Sequence, residues 1–369
     1  MKIVHTEASC GWGGQEIRIL EESKGMIERG HQVTVLCPAE SRIHAEAARW
    51  GVATEALPIG RKNLAGLLAL RRWLKSHEVD VLNTHSSTDS WLAALACASI
   101  NNPPPIVRTR HISAPIPDNA PTRWLYTKAT RHIVTTGEAL RRELIERNGY
   151  PPAMITSVPT GIDPARFAPG DKQKTRKTLG LDPECQYIGI VATLRSWKGH
   201  LYLLDAFAAL NAPGWKLLIV GDGPMRSALE TRIAELGISD RAILAGQQKN
   251  PEDWLRALDI FCLPSYANEG VPQALVQAML SGIPVISTAI GAIPEVLTHD
   301  INGLIVQQKD SAELASALSA LLNDPDRRRT LGLNARAESA SRFGRKLMLE
   351  KMERIFTGIL NRTCTFHGA

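Results

Sequence analysis

Short apolar runs that end in a glycine, proline or polar loop, each followed by a segment of helical period, recur along the whole chain. Strands buried on both faces require such runs, and their alternation with helices points to parallel α/β sheets. The first run, Lys2-Ile3-Val4-His5-Thr6, leads through the glycine loop Gly11-Trp12-Gly13-Gly14 into a helix predicted over 15–29, a Rossmann-type opening. Further strands are predicted over 31–36, 79–85, 106–111, 132–136 and 155–159. A second Rossmann-like opening begins with a strand over 187–192, followed by a strand and glycine loop over 216–224 and strands over 242–246, 258–264 and 284–287. The 369 residues suffice for two domains, each with its own core.

The densest stretch is 263–295, LPSYANEGVPQALVQAMLSGIPVISTAIGAIPE. A strand closed by Pro264 gives way to a loop over 265–270 that carries Glu269. Pro272 is placed in the first turn of a helix and Gly282 at its end. On helical spacing Ala274, Leu275, Ala278 and Met279 share a buried face, and Gln273 and Gln277 line up on another. A helix start exposes backbone N–H groups and partial positive charge, so the amides of Gly270, Val271, Pro272's neighbour Gln273, and Ala274 suit a phosphate, with Glu269 beside them for hydroxyls. Phosphate and polyol together suggest a nucleotide sugar. An ordinary β-loop-α unit with a solvated glutamate accounts for the local pattern equally.

Glu269, seven intervening residues, Gln277, and then Ser281-Gly282-Ile283-Pro284-Val285 resemble the signature of the family-4 retaining glycosyltransferases of the GT-B fold. In that family both signature positions are glutamates; the first contacts donor-sugar hydroxyls and the second holds the nucleotide ribose. Gln277 is a departure, because an amide offers one acceptor oxygen where a carboxylate can accept two hydroxyls with charge assistance. The resemblance implies two facing Rossmann-like domains with an interdomain cleft. An acceptor-side domain is expected over 1–165, with a helix at 343–360 packing back onto it, and a nucleotide-sugar donor domain over 166–342.

The same resemblance assigns roles elsewhere. Gly13 and Gly14 match the family's loop beneath the donor phosphates, where glycine lets backbone approach a ligand. His111 falls where the family carries a histidine near the donor sugar and acceptor, able to hydrogen-bond the sugar or assist proton movement; His85 is the second candidate. Arg195 and Lys198 match the cations that hold the donor diphosphate and stabilise the charge of the leaving group. Gly223 lies in the loop placed at the donor site, and Gln247 is assigned to the base. Taken without the resemblance, a lone strand-end histidine and two solvated cations are the commoner explanations.

Neither a bound metal nor a cofactor is expected: Asp324-Pro325-Asp326 mimics a metal motif but reads as a turn between helices. The glycine spacing after the first strand is not G-x-G-x-x-G and no acid ends the second strand, which argues against a nicotinamide dinucleotide. The six cysteines are scattered with no C-x-x-C pair, so reduced thiols are expected. With no secretory leader and no stretch long enough to span a bilayer, a cytoplasmic protein is the simplest expectation.

Net charge is +6, and between Arg108 and Arg147 eight basic residues face four acidic ones. That excess suits an anionic acceptor or membrane surface, as does a basic amphipathic helix over 63–75. Nucleic acid is disfavoured, because only 5% of the chain is aromatic and stacking residues do not interleave with the basic ones. The expected activity is transfer of a sugar, with retention, from a nucleotide-sugar donor to a glycan or lipid-linked acceptor, in lipopolysaccharide or other surface-glycan synthesis. A nucleotide-sugar epimerase on the same fold and a non-catalytic sugar-nucleotide binding protein remain alternatives.

Overall fold

Seven parallel strands form the first sheet of the computed structural model: β1 (Lys2–Thr6), β2 (Gln32–Cys37), β3 (Ala53–Ala56), β4 (Val81–Thr84), β5 (Ile106–Arg110), β6 (His132–Thr135) and β7 (Ile155–Ser157). Their order is β3-β2-β1-β4-β5-β6-β7. The structure describes residues 1–111, 115–267 and 269–364, with side chains to 361. Consecutive residues on each strand point to opposite faces. Ile3, Val33, Val81, Val107 and Val134 therefore fill one core layer, while Val4, Leu82, Ile106 and Ile133 fill the other.

The second layer is covered by helices that include Leu64–Ser76 and Ser87–Ala98. The first layer is closed from far along the chain, by Met348, Leu349, Met352, Phe356 and Ile359 of the helix Arg345–Cys364. Contact there is close: a Cβ on Gly25 would lie 2.4 Å from the Leu349 methyls. The helix runs on to Cys364, past the end at 360 expected from the sequence; residues 365–369 and the side chains of 362–364 lie outside the description.

Six parallel strands form the second sheet: β8 (Gln186–Val191), β9 (Trp215–Val220), β10 (Ala242–Gly246), β11 (Ile260–Leu263), β12 (Val285–Thr288) and β13 (Leu304–Val306), in the order β10-β9-β8-β11-β12-β13. By contacts the chain divides into one unit of 1–161 and 346–369 and another of 162–345. At the two crossings Ile162 N–H donates to Phe343 O at 2.8 Å and Arg345 N–H to Ile162 O at 3.0 Å.

Two strands escaped the sequence pattern. β3 reads Ala-Thr-Glu-Ala, lies on a sheet edge and is mostly exposed, so it carries neither a β-branched run nor a buried face. β13 is three residues long. Asp324-Pro325-Asp326 is a helix start rather than a turn: the Asp324 carboxylate accepts from Arg327 N–H and caps the helix Pro325–Arg342. Cys10, Cys37, Cys97, Cys185 and Cys262 are free thiols.

Candidate functional site

In an open parallel sheet, loops leave the carboxyl ends of the strands and part company where strand order reverses, which makes a crevice for ligands. In the second unit the reversal lies between β8 and β11. The loop after β8 brings Lys198 there and the loop after β11 brings Glu269. Lys198 Nζ lies 2.6 Å from Glu269 Oε1, and Ser265 Oγ donates to the same oxygen at 2.7 Å. The Glu269 side chain is only 5% exposed, so the cation and the hydroxyl offset the cost of burying a carboxylate. Asn268, next to it in the loop, lies outside the description.

Backbone packing holds both loops. Gly199, directly after Lys198, has φ +80°, and a Cβ there would sit 2.0 Å from Pro264 O. Gly291 has φ +59°, and its Cβ would meet Glu269 O at 2.0 Å. Side chains at these positions would drive the loops apart.

Arg195 does not join the ion pair. Its side chain is exposed, with the guanidinium carbon 5.7 Å from the centre of the Trp197 ring. The Gly223 loop packs on Leu194, whose N–H donates to Asp222 O at 3.0 Å. Gln247 is exposed, after β10.

Gly270, Val271 and Pro272 are buried and lead into the helix Gln273–Leu280, of which Pro272 is the cap rather than the first turn. The expected division of that helix into apolar and polar faces is corrected. Val276, Gln277 and Leu280 are buried along with Leu275, Ala278 and Met279, while Ala274 and Gln273 are half-buried. Amphipathic spacing misleads here because the helix is packed on nearly every side. Gln277 is 9% exposed, which makes its uncharged amide cheaper to bury than the carboxylate of the family pattern.

In the first unit strand order reverses between β1 and β4. Gly13 caps the helix Gly14–Glu28 in an extended conformation, and a Cβ there would meet nothing closer than Glu16 Oε2 at 3.8 Å. The fold itself therefore does not require glycine at that position. At the carboxyl ends of β1, β4 and β5 stand His5, His85 and His111. His5 Nδ1 lies 2.9 Å from His85 Nε2, and His85 Nδ1 lies 2.9 Å from His111 Nε2.

Sequence reasoning gave no role to His5, nor to the buried groups around it. Asp89 accepts from Thr6 Oγ1 at 2.7 Å and from His85 N–H at 2.9 Å, tying β1 to β4. Glu7 accepts from Ser9 N–H at 2.7 Å and from the Gln15 amide. A polar residue inside or at the end of a buried strand was the available signal.

Burial makes this cluster sensitive to pH. Desolvation, aided by the charge of Arg18, lowers His5 to about 3. It lowers His85 and His111 well below 6.5 and, with Lys198, takes His200 to about 3. Desolvation raises Glu22 to about 7 and, with Asp89, raises Glu7 to about 8. Between pH 6.5 and 4.5 the unfolded chain gains protons on four rings that the folded chain leaves neutral, so stability is lost as pH falls. The two glutamates act oppositely, holding protons in the folded state, and their contribution is lost as pH rises through 7 to 8. Asp89, whose carboxyl burial also raises, acts with the glutamates, and the four rings outweigh these three carboxyls below about pH 6. Thermal stability should therefore peak near about pH 6–6.5 and fall toward pH 5 by up to about 1.4 kcal/mol per pH unit for each net proton. A melting temperature flat from pH 5 to 8 would contradict these shifts.

Among the described residues no three His, Cys, Asp or Glu side chains are grouped to hold a metal, and no helix is long and apolar enough to cross a membrane.

Comparison with known proteins connects these features. Residues 171–338 match the family model for glycosyl transferases group 1, and residues 12–166 match that for Glycosyltransferase Family 4. The chain is 34% identical over 239 residues to the lipopolysaccharide core biosynthesis mannosyltransferase LpsB of Rhizobium meliloti, covering 60% of this chain and 68% of LpsB. It is 28% identical over 328 residues to the D-inositol 3-phosphate glycosyltransferase of Thermobispora bispora, covering 81% and 75%. Among solved structures, Anabaena HepE in complex with UDP-glucose superposes with a TM-score of 0.85 at 22% identity, over 97% of this chain and 100% of HepE. Sucrose-phosphate synthase from Thermosynechococcus elongatus superposes with 0.83 at 19% identity, over 98% and 100%.

Proposed function

The chain belongs to glycosyltransferase family 4 and has the GT-B fold, and on that premise we propose that it transfers a sugar from a nucleotide-sugar donor to a glycan or lipid-linked acceptor with retention. The observation that carries the reading is the Lys198–Glu269 pair at the reversal point of the second sheet, beside the start of the helix Gln273–Leu280. In this proposal Lys198 and Arg195 hold the donor diphosphate, helped by the positive end of that helix, and Glu269 accepts hydroxyls of the sugar. The glycosidic C–O bond to the phosphate breaks as the acceptor oxygen bonds to the same face of the sugar. The acceptor proton passes to the departing phosphate oxygen, and the two cations stabilise its charge. His111, on the first unit, serves as a hydrogen-bonding group toward the substrates. No metal or other cofactor takes part in the proposed chemistry. The likeness to LpsB supports a lipopolysaccharide or other surface-glycan acceptor.

A thermal-shift titration with nucleotides and nucleotide sugars, followed by turnover on lipid-linked glycans, tests the reading. Stabilisation by a sugar nucleotide and formation of a new glycosidic bond are expected. Epimerised donor without an acceptor product would favour the epimerase, and binding with no turnover would favour a binding protein. In the same titration Gln277→Glu should tighten nucleotide binding by roughly tenfold, a charge-assisted hydrogen bond replacing a neutral one. Weaker binding would remove Gln277 from the ribose site.

We further propose a peripheral position on the cytoplasmic face of the membrane, supported by the helix Leu64–Ser76. Leu70, Trp73 and Leu74 face the core, but Leu64 and Leu68 are 67% and 48% exposed, beside Arg61 and Lys62. An apolar pair flanked by cations suits an anionic bilayer. Cosedimentation with phosphatidylglycerol vesicles should fall sharply in a Leu64→Glu, Leu68→Glu variant; equal binding by both proteins would place the contact elsewhere.

A further inference from the structure

Three imidazoles in a row constrain one another more tightly than any one of them alone. His5 lies on β1, His85 follows β4 and His111 follows β5, three adjacent strands, so the rings step across the sheet with centroids 5.1 and 5.2 Å apart. Each of the two nitrogen-to-nitrogen contacts, 2.9 Å in both cases, needs one proton and only one.

A neutral ring carries one proton, so only two arrangements satisfy both contacts. In the first, His5 Nδ1–H donates to His85 Nε2, His85 Nδ1–H donates to His111 Nε2, and His111 keeps its own proton on Nδ1. In the second every donor is reversed, and the leftover proton sits on His5 Nε2. The choice is made at the His5 end of the row.

His5 is fully buried, and its Nε2 has no hydrogen-bond partner among the described residues. Arg18 is also fully buried; its Nη1 donates to Val158 O at 2.6 Å, its Nε lies 3.6 Å from Glu22, and its charge acts on all three rings. A proton on His5 Nε2 would thus be a buried N–H without an acceptor among the described residues. An empty lone pair at that place costs less. All three rings are held neutral by burial, so no extra proton relieves the constraint.

We propose that His5 and His85 are positioning residues that lock His111 into the tautomer protonated on Nδ1, so that His111 meets its substrate as a hydrogen-bond donor and not as a base. The role in turnover rests on the glycosyl-transfer reading; the tautomer does not. Imidazole in water favours the opposite form, with the proton on Nε2, so the chain holds His111 in its less common state. A donor at that position polarises or orients a substrate oxygen, and the proton remains on the ring.

The test uses protein labelled with ¹⁵N-histidine, whose ten imidazoles are separable in two-bond ¹H–¹⁵N spectra, with His111 assigned by its loss in His111→Gln. Near neutral pH the unliganded chain should show His111 protonated on Nδ1. His85→Phe removes the link, and His111 should revert to the Nε2–H form while kcat falls roughly tenfold, about one hydrogen bond's worth. The donor Kd should move by less than about twofold, because the lost interaction belongs to the transition state. His85→Gln, whose amide can accept from His5 and donate to His111, should keep the Nδ1–H signature and most of the turnover. An Nε2-protonated His111 in the unaltered chain overturns the proposal, as does wild-type turnover in His85→Phe. A chain that turns over no sugar nucleotide would instead sink the glycosyl-transfer reading, and the spectra, which need no substrate, would still decide the tautomer.

Discussion

Lys198→Ala should lower kcat by about 10²-fold or more, the usual cost of removing one preorganised group from a developing negative charge. The expectation has two sources in the geometry. Lys198 Nζ is 2.6 Å from Glu269 Oε1, with 18% of its side chain exposed, so it is well placed to grip a ligand from a site of low dielectric. Its removal also leaves the buried Glu269 carboxylate with the Ser265 hydroxyl but without a cation, an uncompensated charge on the group proposed to bind sugar hydroxyls. Both effects reduce turnover. Lys198→Arg should not restore it, because a planar guanidinium cannot replace a compact ammonium at that distance. Arg195→Ala should act in the same direction. Steady-state kcat and KM for the donor, with circular dichroism to show an intact fold, measure the effect. Turnover within about threefold of wild type would remove Lys198 from the mechanism.

Gly199→Ala should destabilise the second unit by on the order of 3 kcal/mol or more, through two penalties that act together. The residue has φ +80°, which any L side chain resists, and its Cβ would fall 2.0 Å from Pro264 O and 2.7 Å from Pro264 C. Those atoms are backbone at the end of β11, so no rotamer change relieves the overlap. Gly214→Ala isolates the first penalty: φ there is +83°, but nothing lies within 4 Å of the added Cβ. Its cost should be near 1 kcal/mol. Chemical denaturation of both variants measures the difference, and equal losses would show that the approach of Gly199 to Pro264 is not rigid. Since Gly199 follows Lys198, any movement that admits the methyl also shifts the ammonium, and activity should fall with stability.

Most strands were legible because a strand in a parallel sheet must be apolar on both faces, a requirement that shows in a handful of residues. Pro272 and Gly282 marked the helix between them for an equally local reason, the φ that each imposes or permits. The misses have physical causes. β3 lies at an edge, so nothing forced its four residues to be apolar. The helix Gln273–Leu280 is enclosed on nearly every side, so its spacing concealed which residues are buried, Gln277 among them. His5 appeared as one polar residue in a strand, although its ring begins a chain of three.

Local chemistry marked most of the segments that become strands and the bounds of the helix Gln273–Leu280, while the roles expected of Glu269, Arg195 and Lys198 came from the resemblance to a family pattern. Pairing was decided only by the folded chain. Lys198 and Glu269 are 71 positions apart, and they meet because β8 and β11 are neighbours at the point where strand order reverses. His5 and His85 are 80 apart and meet because β1 lies against β4. A residue's type is enough to say whether it prefers burial or charge compensation, but its partner depends on which strands lie side by side. That order is chosen by the summed packing of both sheets, with the helix Arg345–Cys364 closing the first of them, and no single stretch of sequence contains it.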